Sequence, residues 1–323
     1  MSALHNYAAY GLHICADRPI ELAAAFGPQG TPDIQFDLRG CQYTADPDLP
    51  DEPRSGFNRM DDGSGAMMWF TGSGRLDFRI NAAADRVSVS GYQTNSHEMS
   101  LLLLGQVFGV VLRMRRILSL HACALNLDGC AVAVLGASGV GKSTLAAHLA
   151  SNGAPVLADD VTAILESGDG HMVQPGFPAM KFWPDTLKLS NVAADAQDRV
   201  FNFTDKRVLP LRTGGQSSEW QFQPTPLPMR GIFVLQGRRA DLSYPIAEKL
   251  DPIAAVPVLM ANRSSLMCAL GPKVDGQELK SMARLAGAVP VWSITCPDDV
   301  GNLAASVDLL HRCLDGCKTG TAA

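Results

Sequence analysis

The run Gly136-Ala137-Ser138-Gly139-Val140-Gly141-Lys142-Ser143 limits what this chain can fold into more than any other stretch. It satisfies G-x-x-x-x-G-K-[ST] at every fixed position. Its flanks agree. Residues 131–135 form an apolar, strand-like run leading in, residues 142–150 form a helix-favouring run leading out, and Gly153 is placed to stop that helix. Strand, glycine turn and helix N-terminus in this order build a phosphate-binding loop and predict an α/β fold around it. The glycines let backbone N–H groups turn inward with no Cβ in the way, and the helix end adds partial positive charge. In such a loop Gly136, Ala137, Ser138, Gly139, Val140, Gly141, Lys142, Ser143 and Thr144 cradle a nucleotide. Lys142 reaches the β- and γ-phosphates of ATP, and the Ser143 hydroxyl is a ligand for Mg²⁺.

Two further features converge on that loop. Ala154-Pro155-Val156-Leu157-Ala158-Asp159-Asp160 is a short apolar strand ending in two carboxylates. Parallel strands present their C-terminal ends on one sheet edge, and a right-handed crossover would set this strand alongside the one entering the loop. One carboxylate is then available to hold Mg²⁺ and the other to accept a proton from an attacking hydroxyl. The second feature is His121. Residues 121–127 and 130–135 flank Asp128-Gly129, a two-residue hairpin turn. In that register Leu127 faces Cys130 and, carried on, His121 faces Gly136, at the mouth of the loop. Contact with a phosphate, a metal or the acceptor are all open for it.

The 323 residues suffice for one large domain or two modest ones, and 46% hydrophobic with 18% charged residues is an ordinary globular balance. A net charge of −5 argues against a general nucleic-acid surface. Arg113-Met114-Arg115-Arg116 reads as a solvated helix end. Eight scattered cysteines read as reduced structural thiols, and Cys313 and Cys317 lack a second pair at zinc spacing. With no signal-like start, and an apolar stretch at 99–112 too short to cross a bilayer, the expectation is a cytoplasmic protein without a membrane segment.

Residues 1–95 read as a β-rich N-terminal domain: 33–38 and 87–92 alternate, 67–70 and 76–80 form a hairpin across Gly72-Ser73-Gly74, and 46–64 is a loop rich in Pro, Asp and Gly. Residues 96–118 read as a connecting helix and 119–317 as the nucleotide-binding domain, with further strands at 232–235 and 289–294 and a helix at 300–314. Residues 318–323 read as a disordered tail.

His121, the glycine loop and Leu157-Ala158-Asp159-Asp160 together resemble the catalytic domain of the HPr kinase/phosphorylase family in residue type and spacing. The specific match covers residues 119–165. A looser likeness, to HPr-kinase-related proteins such as the lasso-peptide kinases, runs through Pro175-Gly176-Phe177-Pro178, Lys181-Phe182-Trp183-Pro184 and Asp205-Lys206-Arg207. The resemblance implies a P-loop kinase core similar to that of ATP-dependent phosphoenolpyruvate carboxykinase. It implies ATP and Mg²⁺ as cofactors, Asp159 as general base, Asp160 with Ser143 as metal ligands, and His121 beside the γ-phosphate. It implies a charge from Lys206 or Arg207, with Arg207 preferred, that stabilises the transferring group. The partner implied is a peptide or protein with an acceptor serine. The HPr kinases assemble as hexamers, which leaves a homo-oligomer open. Two departures stand out: Thr144 replaces the Glu that follows the loop serine in HPr kinases, and their second signature region has no match. Reverse phosphorolysis, and HPr as the acceptor, therefore lie outside what the resemblance implies.

The rival classes are a kinase for a small-molecule hydroxyl and a nucleotide-binding regulator without turnover. A carboxykinase would need additional metal and carboxylate ligands. Residues 174–184 and 212–219 are the candidate substrate-facing segments. Phe182 and Trp183 are read first as buried core and second as an acceptor wall.

Overall fold

The structure is a computed structural model of the chain, and it describes residues 4–23, 30–42, 52–72, 74–92, 96–168, 170–190, 192–213, 220–298, 301 and 303–316. The expected tail at 318–323 lies outside these residues, as do 214–219 of the second substrate-facing segment.

Among the described residues, the first seven strands form one sheet. They are β1 (His5–Ala9), β2 (Leu12–Ala16), β3 (Ile34–Gln42), β4 (Arg54–Arg59), β5 (Gly65–Thr71), β6 (Arg75–Asn81) and β7 (Arg86–Tyr92), in the order β1-β2-β3-β7-β6-β5-β4. Period-two patterning makes them strands: Ile34, Phe36 and Leu38 are buried, while Gln35 and Asp37 between them are not. The expected hairpin is β5–β6, with Trp69 opposite Asp77. The 46–64 loop is shorter than expected, because Arg54–Arg59 pairs with β5 as an edge strand; a Pro- and Gly-rich neighbourhood hid a segment that one partner strand suffices to order.

The connecting helix, expected over 96–118, ends earlier: α1 runs Ser96–Met114, 19 residues, and the next strand begins at Leu118. It is long and apolar enough to cross a membrane by length and composition, but 83% of its most apolar window is buried inside the protein. Residues 103–107 widen to a π-turn. Two carbonyls of this stretch accept from outside the helix: Leu104 from the Tyr10 hydroxyl at 2.9 Å and Gln106 from Ser265 Oγ at 2.9 Å. One apolar cluster runs from the N-terminal sheet through α1 to Val161, Phe177, Val200 and Cys268, so the sheet and the rest of the chain share a core. Tyr10, in the β1–β2 turn, is fully buried in it with its ring 4.8 Å from that of Phe108.

The remaining chain supplies β8 (Leu118–Leu120), β9 (Cys123–Leu127), β10 (Cys130–Gly136), α2 (Lys142–Ser151), β11 (Val156–Ala158), β12 (Thr162–Ser167), β13 (Gly170–Val173), β14 (Ala179–Phe182), α3 (Pro184–Leu189), β15 (Arg207–Pro210), β16 (Leu227–Leu235), β17 (Ile246–Lys249), α4 (Pro252–Ala261), α5 (Pro272–Ala288), β18 (Val291–Thr295) and α6 (Leu303–Gly316). The second sheet runs β11-β9-β10-β16-β13-β12-β8, with β18 on β16 and β17 on β18; β14 and β15 pair separately. The β9–β10 ladder has the predicted register, from Leu127 opposite Cys130 to Cys123 opposite Val134. Its turn residues Asp128 and Gly129 both have positive φ, 54° and 81°, as a primed two-residue turn requires. This hairpin corrects one expectation. Because so short a turn forces β9 against β10, β9 lies between β10 and β11, and α2 crosses over it. β10 and β11 still run parallel to each other, and their C-terminal ends share one sheet edge.

Arg113 also departs from expectation. It is 1% exposed and paired with Glu278 through Nε–Oε1 at 2.6 Å and Nη2–Oε2 at 3.1 Å. Its Nη1 donates to the carbonyls of Ser265 and Cys268. A sequence-local view of the Arg-rich helix end could not show the partner, 165 residues away. The seven cysteines among the described residues are free thiols.

Candidate active site

The loop between β10 and α2 turns on three glycines in the left-handed region: Gly136 at φ 142°, Gly139 at 85° and Gly141 at 108°. At Gly136 a Cβ would stand 2.6 Å from the Leu235 carbonyl oxygen, so close approach to β16 also demands glycine there. Ala137, Ser138 and Gly139 are exposed, while Val140, Gly141, Lys142, Ser143 and Thr144 are half-buried. Lys142 Nζ donates to the Gly136 and Ala137 carbonyls at 2.6 and 3.0 Å, curling over its own loop. Burial lowers its pKa, partly offset by the charges of Asp160 and Asp159. Thr144 Oγ1 lies 3.4 Å from Thr186 Oγ1 on α3.

At the end of β11, Asp159 is buried and accepts from the Lys181 backbone N–H at 2.8 Å. Burial, then the neighbouring Asp160 charge, raise its pKa to about 7. Asp160 has φ 63°, a conformation costly for a residue with a Cβ, and the Val161 N–H donates back to the Asp159 carbonyl at 2.7 Å, closing a three-residue turn. That turn points the two carboxylates into different surroundings. Burial would raise Asp160 too, but the Lys181 ammonium at 2.9 Å, then His121 and Lys206, hold it well below the usual carboxylate range. His121 follows β8, where the β9–β10 ladder does not reach; it turns Nδ1 to within 3.0 Å of the Asp160 carbonyl oxygen.

His121, Asp160, Lys181 and Lys206 line a single cavity of about 490 Å³. Lys206 Nζ lies 5.6 Å from the centre of the Trp183 ring. Arg207, the next residue, is in β15 opposite Phe182, outside that lining, with its Nε buried and without a hydrogen-bond partner among the described residues. Lys206, just before β15, is the one of the two adjacent cations that shares the cavity with Asp160. Phe182 is fully buried, with its ring 5.3 Å from that of Trp220, whereas Trp183 is half-exposed on the cavity wall.

No family model and no curated protein matches the sequence. Among solved structures, the HPr(Ser) kinase/phosphatase from Coxiella burnetii is similar, at 14% identity over 60% of this chain and 95% of that one, with a TM-score of 0.29. A superposition that loose carries no weight for chemistry, which has to come from this chain's own residues.

Two of those residues were not among the expected catalytic, nucleotide or metal residues, although Lys181 lies inside the expected substrate-facing segment 174–184. Lys181 ties both aspartates, one through its backbone and one through its ammonium; a lone lysine inside Ala179-Met180-Lys181-Phe182 was the available signal, since a charge in an apolar strand needs a partner. Arg238 lies past the C-terminal end of β16. Its Nη2 comes within 3.1 Å of where a Cβ on Gly141 would stand, beside the glycine loop. No local pattern marks it. Among the described residues there is no cluster of three or more His, Cys, Asp or Glu able to cage a metal. Mg²⁺ needs no such cage, being held by one or two protein oxygens with phosphate and water, and an ionised Asp160 with Ser143 at the start of α2 fits that donor set.

Proposed function

We propose that this chain is an ATP-dependent kinase that transfers the γ-phosphoryl group to a serine-type hydroxyl of a peptide or protein. The observation that carries this is geometric: two adjacent carboxylates end β11 at the same sheet edge as the glycine loop, Asp159 buried against the Lys181 backbone N–H and Asp160 paired with the Lys181 ammonium at 2.9 Å. A group that only binds nucleotide has no need of a carboxylate poised to exchange protons at neutral pH. The sequence resemblance to HPr kinases supports the same assignment.

In this mechanism the loop backbone and Lys142 hold the phosphates, and Arg238 adds charge at their side. Ser143 and Asp160 would hold Mg²⁺, which when bound neutralises phosphate charge. Asp159 accepts the proton of the acceptor hydroxyl as its oxygen bonds to the γ-phosphorus. The bond from that phosphorus to the β,γ-bridging oxygen breaks, and ADP leaves with the electron pair. Lys206, steered by Trp183, and Lys181 face the charge that spreads over the transferring group. His121 orients the Asp160 turn through its backbone carbonyl.

Calorimetric titration with Mg-ATP, paired with ADP production in the presence of serine peptides, tests the assignment. Wild type should bind and turn over, and Lys142→Ala should lose turnover. Full activity in Lys142→Ala would overturn the role of the loop.

A further inference from the structure

The carboxylates do not open onto a polar surface. Beyond Asp160, His121, Lys181 and Lys206, the wall of the 490 Å³ cavity is largely apolar, and four of its side chains are large and solvent-exposed: Trp183 at 51%, Phe203 at 52%, Leu266 at 44% and Met267 at 92%. Exposed hydrophobic residues scattered singly are ordinary, but four gathered in one cavity with Asp160, Lys181 and Lys206 form a binding surface.

These side chains come from three segments, each fixed from behind. Phe203 stacks on Phe201, with ring centroids 5.2 Å apart and planes 9° from parallel. Trp183 carries the Lys206 ammonium on its face. The turn bearing Leu266 and Met267 is tied to α1 by Arg113 and by the Ser265–Gln106 hydrogen bond. The surface is therefore built in advance, which lowers the ordering cost of binding.

A second cavity, of about 200 Å³, shares Leu102, Gln106, Phe201 and Phe203 with the first and is also lined by Phe70 and Leu76 of the N-terminal sheet. Glu98 in its wall is not free, since it accepts from the Asn202 backbone N–H at 3.0 Å. Two neighbouring spaces that share the Phe201–Phe203 pair as lining suit successive side chains of an extended segment better than one compact molecule. Resting on the kinase assignment above, we propose that the acceptor is a peptide segment whose hydroxyl residue is flanked by a bulky apolar or aromatic side chain. The hydroxyl enters the first cavity where Asp160, the neighbour of Asp159, lines the wall, and the flanking side chain enters the second beside Phe203. The N-terminal sheet thereby acts as a specificity element.

The test uses the full chain, Mg-ATP and eight-residue peptides with one central serine flanked on both sides by Phe, Leu, Gly, Asp or Lys. Phosphate transfer is followed by mass spectrometry, and Mg-ATP affinity is measured alongside. The Phe and Leu peptides should exceed the Gly, Asp and Lys peptides in kcat/KM by about 10-fold or more. Phe203→Ala should bring the Phe-over-Gly ratio close to one, and Phe203→Leu should restore most of it. Equal rates for all flanks, or a preference for charged ones, would overturn the proposal. So would transfer to glycerol but to none of the peptides, and that outcome would leave the kinase assignment standing. Absence of Mg-ATP binding would remove the kinase assignment itself and the proposal with it.

Discussion

Asp159 and Asp160 show how one peptide bond separates two electrostatic fates. Asp159 is raised from 3.8 to about 7 by burial and by its neighbour, whereas Asp160 is held down by Lys181 against the same burial. Between pH 3.8 and about 7 the folded chain keeps a proton on Asp159 that the unfolded chain has released. Stability of the metal-free protein should therefore fall as pH rises through that window and level off above it. Asp160 acts in the opposite sense: its contribution is present above 3.8 and lost as pH falls below. Asp159→Asn keeps an acceptor for the Lys181 N–H but no charge, so its melting temperature should change less between pH 5 and 8 than that of wild type. An undiminished slope in thermal melts would contradict this. The cations make a second contrast. Lys206→Met should lower turnover by about 10²-fold, and Arg207→Met should leave it within a few-fold, because Arg207 lies outside the cavity lining. The aspartates and glycines were legible in the sequence because a local motif marks them. Lys181 carried a local signal, a charge within an apolar strand, but not its partners; Arg238 and the choice of Lys206 over Arg207 were not legible, because contacts between segments distant in sequence decide them.

At the scale of elements, the hairpins were the most legible part. Asp128-Gly129 specified both turn and register, and all five observed β9–β10 pairs obey it. What sequence missed was the strand order that follows, with β9 between β10 and β11. The end of α1 is the other case. Its arginine cluster looked solvated, yet Arg113 is a buried clamp on the 263–278 segment, with Arg263 also within 3.6 Å of both Asp275 and Glu278. Removing one partner of such a buried pair leaves an uncompensated charge. Glu278→Ala should cost about 3–5 kcal/mol in urea unfolding. Because Arg113 also holds the turn bearing Leu266 and Met267, the same variant should weaken acceptor binding more than Mg-ATP binding; unchanged stability would show the pair to be dispensable.

For the molecule as a whole, the sequence suggested a small β-rich unit joined by a helix to a nucleotide-binding unit. The elements are there, but the core is continuous from the N-terminal sheet through α1 to the strands that carry the site. Tyr10 illustrates the fusion: from the first hairpin it reaches the Leu104 carbonyl, and burial, then the Asp160 and Asp159 charges, raise its pKa. Alternation predicted the strands, but not which face of the sheet would meet which part of the chain, because that depends on surfaces distant in sequence. The consequence is functional: the cavity before the carboxylates is walled jointly by Met68 of the sheet, Leu101 of α1, and Trp183 and Phe203 from farther along the chain.

The central claim is phosphoryl transfer with Asp159 as the base. The most direct measurement is mass spectrometry of a serine peptide mixture after incubation with Mg-ATP and either wild-type protein or Asp159→Asn, at matched nucleotide saturation. Wild type should place one phosphate on a peptide hydroxyl, and Asp159→Asn should lose that transfer while still binding Mg-ATP. Undiminished transfer by Asp159→Asn would contradict it.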